Sequence, residues 1–90
     1  MPVAIYFNPP ALSEAQYRAV VDQLSSQGDW PRAGLVHHSC FGEGNSLMVY
    51  EVWDNQGALD AFGEKLMPVL QQQQLDPGEP VVMPVVNVLP

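Results

Sequence analysis

Residues Leu47–Leu70 read LMVYEVWDNQGALDAFGEKLMPVL. The part up to Trp53 is dense in β-branched and aromatic residues, which is strand composition. Asp54-Asn55 then breaks the run. The Asn55 side chain can accept from the free N–H groups of a first helical turn, so it is expected to cap a helix. Leu59, Phe62, Leu66 and Leu70 follow at helical spacing and form one apolar stripe. A strand that passes straight into an amphipathic helix supplies a sheet and the layer that covers it. Pro68 falls inside this helix. It has no N–H for the carbonyl of Glu64 and its ring crowds that turn, so a kink or a restart is expected there.

Upstream, Gly42-Glu43-Gly44-Asn45 is turn material, and Gly44-Asn45 suits a tight hairpin. It joins a strand over Ser46–Trp53 to one over Gly34–Phe41, GLVHHSCF, which has no helical period. Asp29–Ala33 is loop. Before it, Ser13 and Gln16 have the spacing of a capping box, in which each side chain satisfies the other residue's N–H. Tyr17, Val20, Val21 and Leu24 make the apolar stripe of that helix, and Gly28 suits its left-handed end. Val3–Phe7, VAIYF, is the opening strand, stopped by Asn8-Pro9-Pro10. Downstream, Gln71–Gln74 reads as a solvated helix end and Asp76–Pro80 as a turn, with Pro77-Gly78 suited to type II. Val81–Leu89 is the last strand. Pro84 cannot join a full ladder, so this strand is expected at an edge or with a bulge.

The order is therefore β-α-β-β-α-β. It predicts one α+β domain over residues 1–90 of the ferredoxin-like kind, a four-stranded antiparallel sheet with both helices on one face. An antiparallel sheet with one wet face should alternate apolar and polar residues. These strands do not. VAIYF is apolar in both parities, and VVMPVVNV nearly so. Two helices cover one face only, so the other is expected to meet the same face of a second copy across a two-fold axis.

Composition narrows the function. Ten acidic and three basic residues give a net charge of −7, a field that repels phosphate backbones and anionic lipid. Neither a nucleic acid nor a membrane surface is an expected partner. No apolar run is long enough to span a bilayer. One cysteine, Cys40, rules out an intrachain disulfide. With no signal-peptide pattern in MPVAIYFNPP, the reading is a cytoplasmic protein.

The βαββαβ order resembles the dimeric α/β-barrel superfamily, which includes small antibiotic-biosynthesis-monooxygenase-like proteins. The likeness is carried by Gly34-Leu-Val-His-His38, a short hairpin, Val49-Tyr-Glu-Val-Trp53 leading through Asp-Asn-Gln-Gly-Ala-Leu-Asp-Ala to Phe62, and Leu66-Met-Pro68. It implies a homodimer whose sheets pack face to face, with a cleft between each sheet and its helices. Haem-degrading relatives supply an axial histidine from the second helix. None lies between Asn55 and Gln74, so no haem is expected.

His37 and His38 are adjacent, so in a strand they face opposite ways and cannot hold one metal together. A two-residue loop at Gly44-Asn45 pairs Glu43 with Ser46. It sets His38 opposite Glu51, Val36 opposite Trp53 and Cys40 opposite Val49. A four-residue loop keeps that parity, whereas a three-residue loop brings in His37 instead. The resemblance favours His38. His38 and Glu51 are thus the candidate catalytic pair, the carboxylate orienting a general base whose other nitrogen faces a ligand. The same pair also fits a purely structural role, fixing strand register. Trp53, Tyr17, Tyr6 and Phe62 are the candidate ligand-binding residues. Trp30 is expected to plug the bottom of the sheet, and Tyr50 to face the dimer interface. Zinc is not expected, and no phosphate-binding glycine motif is present. Two functions follow. One is a cofactor-independent, monooxygenase-like enzyme or binding protein for a small apolar or aromatic molecule. The other is a dimeric structural or accessory protein whose cleft is filled by side chains.

Overall fold

A computed structural model describes residues 1–89. The elements run β1 (Val3–Phe7), α1 (Glu14–Ser26), β2 (Leu35–Phe41), β3 (Met48–Trp53), α2 (Gln56–Gln72) and β4 (Val81–Pro84). The four strands form one antiparallel sheet in the order β2-β3-β1-β4. This is the expected ferredoxin-like topology. β4 lies at an edge, where Pro84 breaks no central ladder. It is shorter than the sequence suggests, ending at Pro84, after which the Val85 N–H still donates to Pro2 O. Among the described residues no helix is long and apolar enough to cross a membrane.

The local signals act as their chemistry dictates. Ser13 and Gln16 form the full capping box, and Asn55 accepts from the Ala58 N–H at 2.8 Å. Gly28 takes a left-handed φ of 78°, and the Asp29 N–H returns to Leu24 O, closing α1. α2 ends the same way without a glycine. Gln74 is left-handed at φ 56°, and the Leu75 N–H returns to Leu70 O at 2.9 Å. That turn sends the chain back toward the sheet.

Two expectations are corrected. α2 neither stops nor restarts at Pro68. Pro68 and Glu64 both lie on its exposed side, so water can satisfy the carbonyl that the proline leaves free. Val69 and Leu70 remain buried beyond it, so the helix end is not lifted from the sheet. The second correction is in register. His38 pairs with Glu51 and Cys40 with Val49 as expected, but Leu35, not Val36, pairs with Trp53. A bulge between Leu35 and His37 adds one residue and turns Val36 to solvent. The bulge lets Leu35 pack on the core.

Ile5, Trp53, Val20, Leu24, Leu59 and Phe62 form that core between sheet and helices. The other face of the sheet carries Ala4, Tyr6, Tyr50 and Met83, with Phe41, Val81 and Met83 exposed.

Gly34 joins the layers. Its φ is 94°, and a Cβ built on it would lie 2.7 Å from the Ala58 Cβ of α2. Gly63, inside α2, has open space at that position. Gly34→Ala should therefore lower unfolding free energy by about 2 kcal/mol, from left-handed strain plus overlap. Gly63→Ala should raise it by up to ~1 kcal/mol through helix propensity. Urea denaturation of the two variants measures both signs.

Candidate functional site

β3 is the spine of the site. Glu51 and Trp53 are two residues apart, so both point toward the helices. Trp53 is wholly buried and Glu51 only 2% exposed. A carboxylate so placed needs donors on both oxygens. The Trp53 indole N–H donates to Oε1 at 3.0 Å, and His38 Nδ1 lies 2.8 Å from Oε2. Strand register alone delivers His38, because β2 pairs it directly with Glu51.

The chain of contacts extends one residue further. The Tyr17 hydroxyl, carried by the apolar stripe of α1, lies 2.6 Å from His38 Nε2. Indole is only a donor and an ionised carboxylate only an acceptor. With Glu51 ionised and the imidazole neutral, His38 carries its hydrogen on Nδ1, and Nε2 accepts the Tyr17 proton. The result is a directed relay, Trp53–Glu51–His38–Tyr17. Its outer end is a phenol oxygen with a lone pair left for a visitor. Burial pushes the Tyr17 hydroxyl above its ordinary pKa. The charges of Cys40 and Glu51 push the same way, and that of Arg18 opposes them. Tyr17 is thus a neutral hydroxyl in the neutral range.

The relay opens into a cleft of about 90 Å³ between the sheet and the two helices. Tyr17 and His38 form its polar wall, and Phe7, Val20, Phe62 and Leu66 are among its apolar lining. Trp30 closes one side, with its ring edge-on to His38 at 4.8 Å and 5.4 Å from Phe62. A 150 Å³ cavity is known to hold benzene. The cleft is smaller than that, so even a single-ring guest requires lining side chains to move or the guest to extend through the mouth.

Of the residues singled out from sequence, His38, Glu51, Tyr17 and Phe62 meet at this cleft. Tyr6 does not. It pairs with Tyr50, lies on the opposite face of the sheet, and its hydroxyl is 2.9 Å from Met48 Sδ. VAIYF is apolar in both parities and carries no signal of which face Tyr6 takes. Trp53 is also not a wall. It lies behind the cleft, packed on Phe62 and bonded to Glu51. Trp30 takes the wall position instead. Its loop location gave no periodicity from which to place it. His38 differs in detail too, since its second nitrogen meets Tyr17 and not open space. His37 points to the far face, where Nε2 lies 3.3 Å from Ser39 Oγ. Among the described residues, no group of three or more His, Cys, Asp or Glu side chains could hold a metal ion. The Cys40 thiol is pushed up in pKa chiefly by burial, which disfavours the nucleophilic thiolate.

No protein-family model and no curated protein matches the sequence. Solved structures do. SnoaB, a cofactor-independent oxygenase from Streptomyces nogalater, aligns at 18% identity with a TM-score of 0.64, covering 99% of this chain and 95% of that one. Rv0793 from Mycobacterium tuberculosis aligns at 19% identity and TM-score 0.63, covering 98% of each chain. A protein named YJCS aligns at 13% identity and TM-score 0.65, covering 94% of this chain and 99% of that one. Alignment at this low identity over nearly whole chains establishes that the protein has the ferredoxin-like fold of this group, the likeness that its element order and its HH…VYEVWDN…F segments suggested.

Proposed function

We propose that the protein is a homodimeric, cofactor-independent enzyme that takes a proton from a small apolar ring compound, in the manner of a monooxygenase that uses its substrate's own electrons. The observation that carries this reading is the relay Glu51–His38–Tyr17 ending in the wall of an apolar cleft. A structural polar pair needs no third member at a void. Here the third member is a hydroxyl with an unused lone pair. The open cleft also speaks against the alternative, an accessory protein with a filled interior.

The chemistry follows from the donor order. A C–H or O–H group of the guest gives its proton to the Tyr17 oxygen as the Tyr17 proton passes to His38 Nε2. Glu51 stabilises the imidazolium so formed. The apolar, ring-lined wall limits the water that can reach the carbanion. With dioxygen as oxidant, an activated CH₂ then becomes C=O, and the second oxygen atom leaves as water. Fold likeness to SnoaB, itself a cofactor-independent oxygenase, supports the same chemistry.

The dimer is supported by the sheet face that the helices leave bare. Met83 stands on it opposite Ala4 and is 61% exposed. An apolar face of this kind marks an association surface.

Phenylacetone, a single ring with one activated CH₂, is a suitable probe. Its CH₂ protons should exchange with deuterated solvent faster with the protein than in buffer. His38→Gln should slow that exchange by ~10²-fold or more. Exchange no faster than in buffer sinks the catalytic reading. On alkaline titration, the native protein should show a tyrosine ionising above the ordinary value of about 10, and Tyr17→Phe should remove it. Because unfolded Tyr17 ionises first, its contribution to stability should fall as pH rises through 10. In sedimentation the native chain should run as a dimer, and Met83→Arg should yield folded single subunits.

A further inference from the structure

We propose that Asp76 makes the mouth of the cleft a charge filter, admitting uncharged ring compounds and turning away carboxylates and phosphates of the same shape. This rests on the reading of the cleft as a ligand site and adds a specificity residue to it.

Three observations converge on Asp76. The first is how the chain brings it there. The left-handed Gln74 ends α2 and turns the backbone so that Leu75, Asp76 and Pro77 all line the cleft. The second is how firmly it is held. Asp76 Oδ1 accepts from the Gly78 N–H at 2.8 Å. Gly78 packs so closely on the β1 exit that a Cβ there would lie 3.1 Å from Asn8 O. One carboxylate oxygen is thus anchored in the turn.

The third is a lining without lysine or arginine. Among the described residues, the cleft lining includes Glu51 and Asp76 but neither lysine nor arginine. Arg18 is engaged with Glu14 at 3.3 Å on the exposed side of α1. The last turn of α2 has no basic residue, so the negative end of its dipole adds to the same field. The Tyr17 hydrogen is committed to His38 Nε2, so the hydroxyl offers a guest only its lone pair, which an anion repels. An anion entering here loses its hydration and meets no lysine or arginine in the lining. A neutral guest meets apolar walls and one hydroxyl.

Phenylacetone and phenylacetate test this, because they share a shape and differ in charge. Their dissociation constants are measured by chemical-shift titration of the whole protein at pH 7. Phenylacetate should bind at least ~10-fold more weakly at low salt, the scale of one or two unit charges several ångströms away in a partly screened site. That ratio should shrink as salt rises. Asp76→Asn keeps the oxygen that accepts from Gly78 and removes the charge, so it should reduce the ratio by a further ~3-fold or more. Equal affinity for the two compounds in the native protein overturns the filter while leaving the ligand site intact. A ratio unmoved by Asp76→Asn overturns it as well, whatever salt does, because salt also screens Glu51 and the net charge of −7. If phenylacetone itself fails to bind, the ligand site and the filter fall together. Should that variant not fold, Asp76→Ser, which keeps an oxygen for the Gly78 N–H and also removes the charge, takes its place with the same two outcomes.

Discussion

A carboxylate buried with two donors fixed on it governs this molecule. Glu51 sits at 2% exposure, with the Trp53 indole on one oxygen and the His38 imidazole on the other. Removing water from a carboxylate is costly by several kcal/mol, and only well-placed hydrogen bonds offset it. That requirement fixes strand register, since slipping β2 by one residue would exchange His38 for another side chain. It also fixes the Trp53 side chain, the largest in the core, and through it the seat of Phe62 on α2. Among the described residues, no buried side-chain nitrogen or oxygen is left without a partner.

The proposed chemistry draws on the same constraint as stability. A network that only specified register could end at His38. This one continues to Tyr17, a residue of a different layer, at 2.6 Å. The helix and the sheet are thereby joined by a proton-bearing contact at the edge of a void. α1 needs an apolar residue near this height to cover the sheet, and tyrosine meets that need with its ring while placing its hydroxyl on the histidine. The cleft persists because the surrounding side chains are held elsewhere. Phe62 packs on Trp53, and Leu24 and Val20 pack in the core.

Charge shapes the rest. A net charge of −7 on a chain with only three basic residues leaves little to neutralise Glu51 from outside. The cleft inherits that imbalance, so its polarity is of one sign at both base and mouth. That imbalance agrees with the proposed removal of a proton from a neutral guest and with the proposed exclusion of anions.

The linear sequence by itself settled the element order, both helix caps and the hairpin, and narrowed the partner of Glu51 to His38 or His37, between which the observed register chose His38. Each of these depends on residues close along the chain or on the two-residue alternation of a strand, and such rules act before any long-range packing. Tertiary structure decided what those rules do not reach. The bulge at Val36 followed from the need to bring Leu35 onto the core. Tyr6 fell on the outer face because its strand is apolar in both parities, and only pairing with β3 chose between them. Trp53 went behind the cleft and Trp30 beside it. A loop residue has no period to place it, and a buried indole goes where its N–H finds an acceptor. Asp76 reached the cleft by the turn at Gln74, a left-handed residue that packing holds in place where glycine is the usual choice.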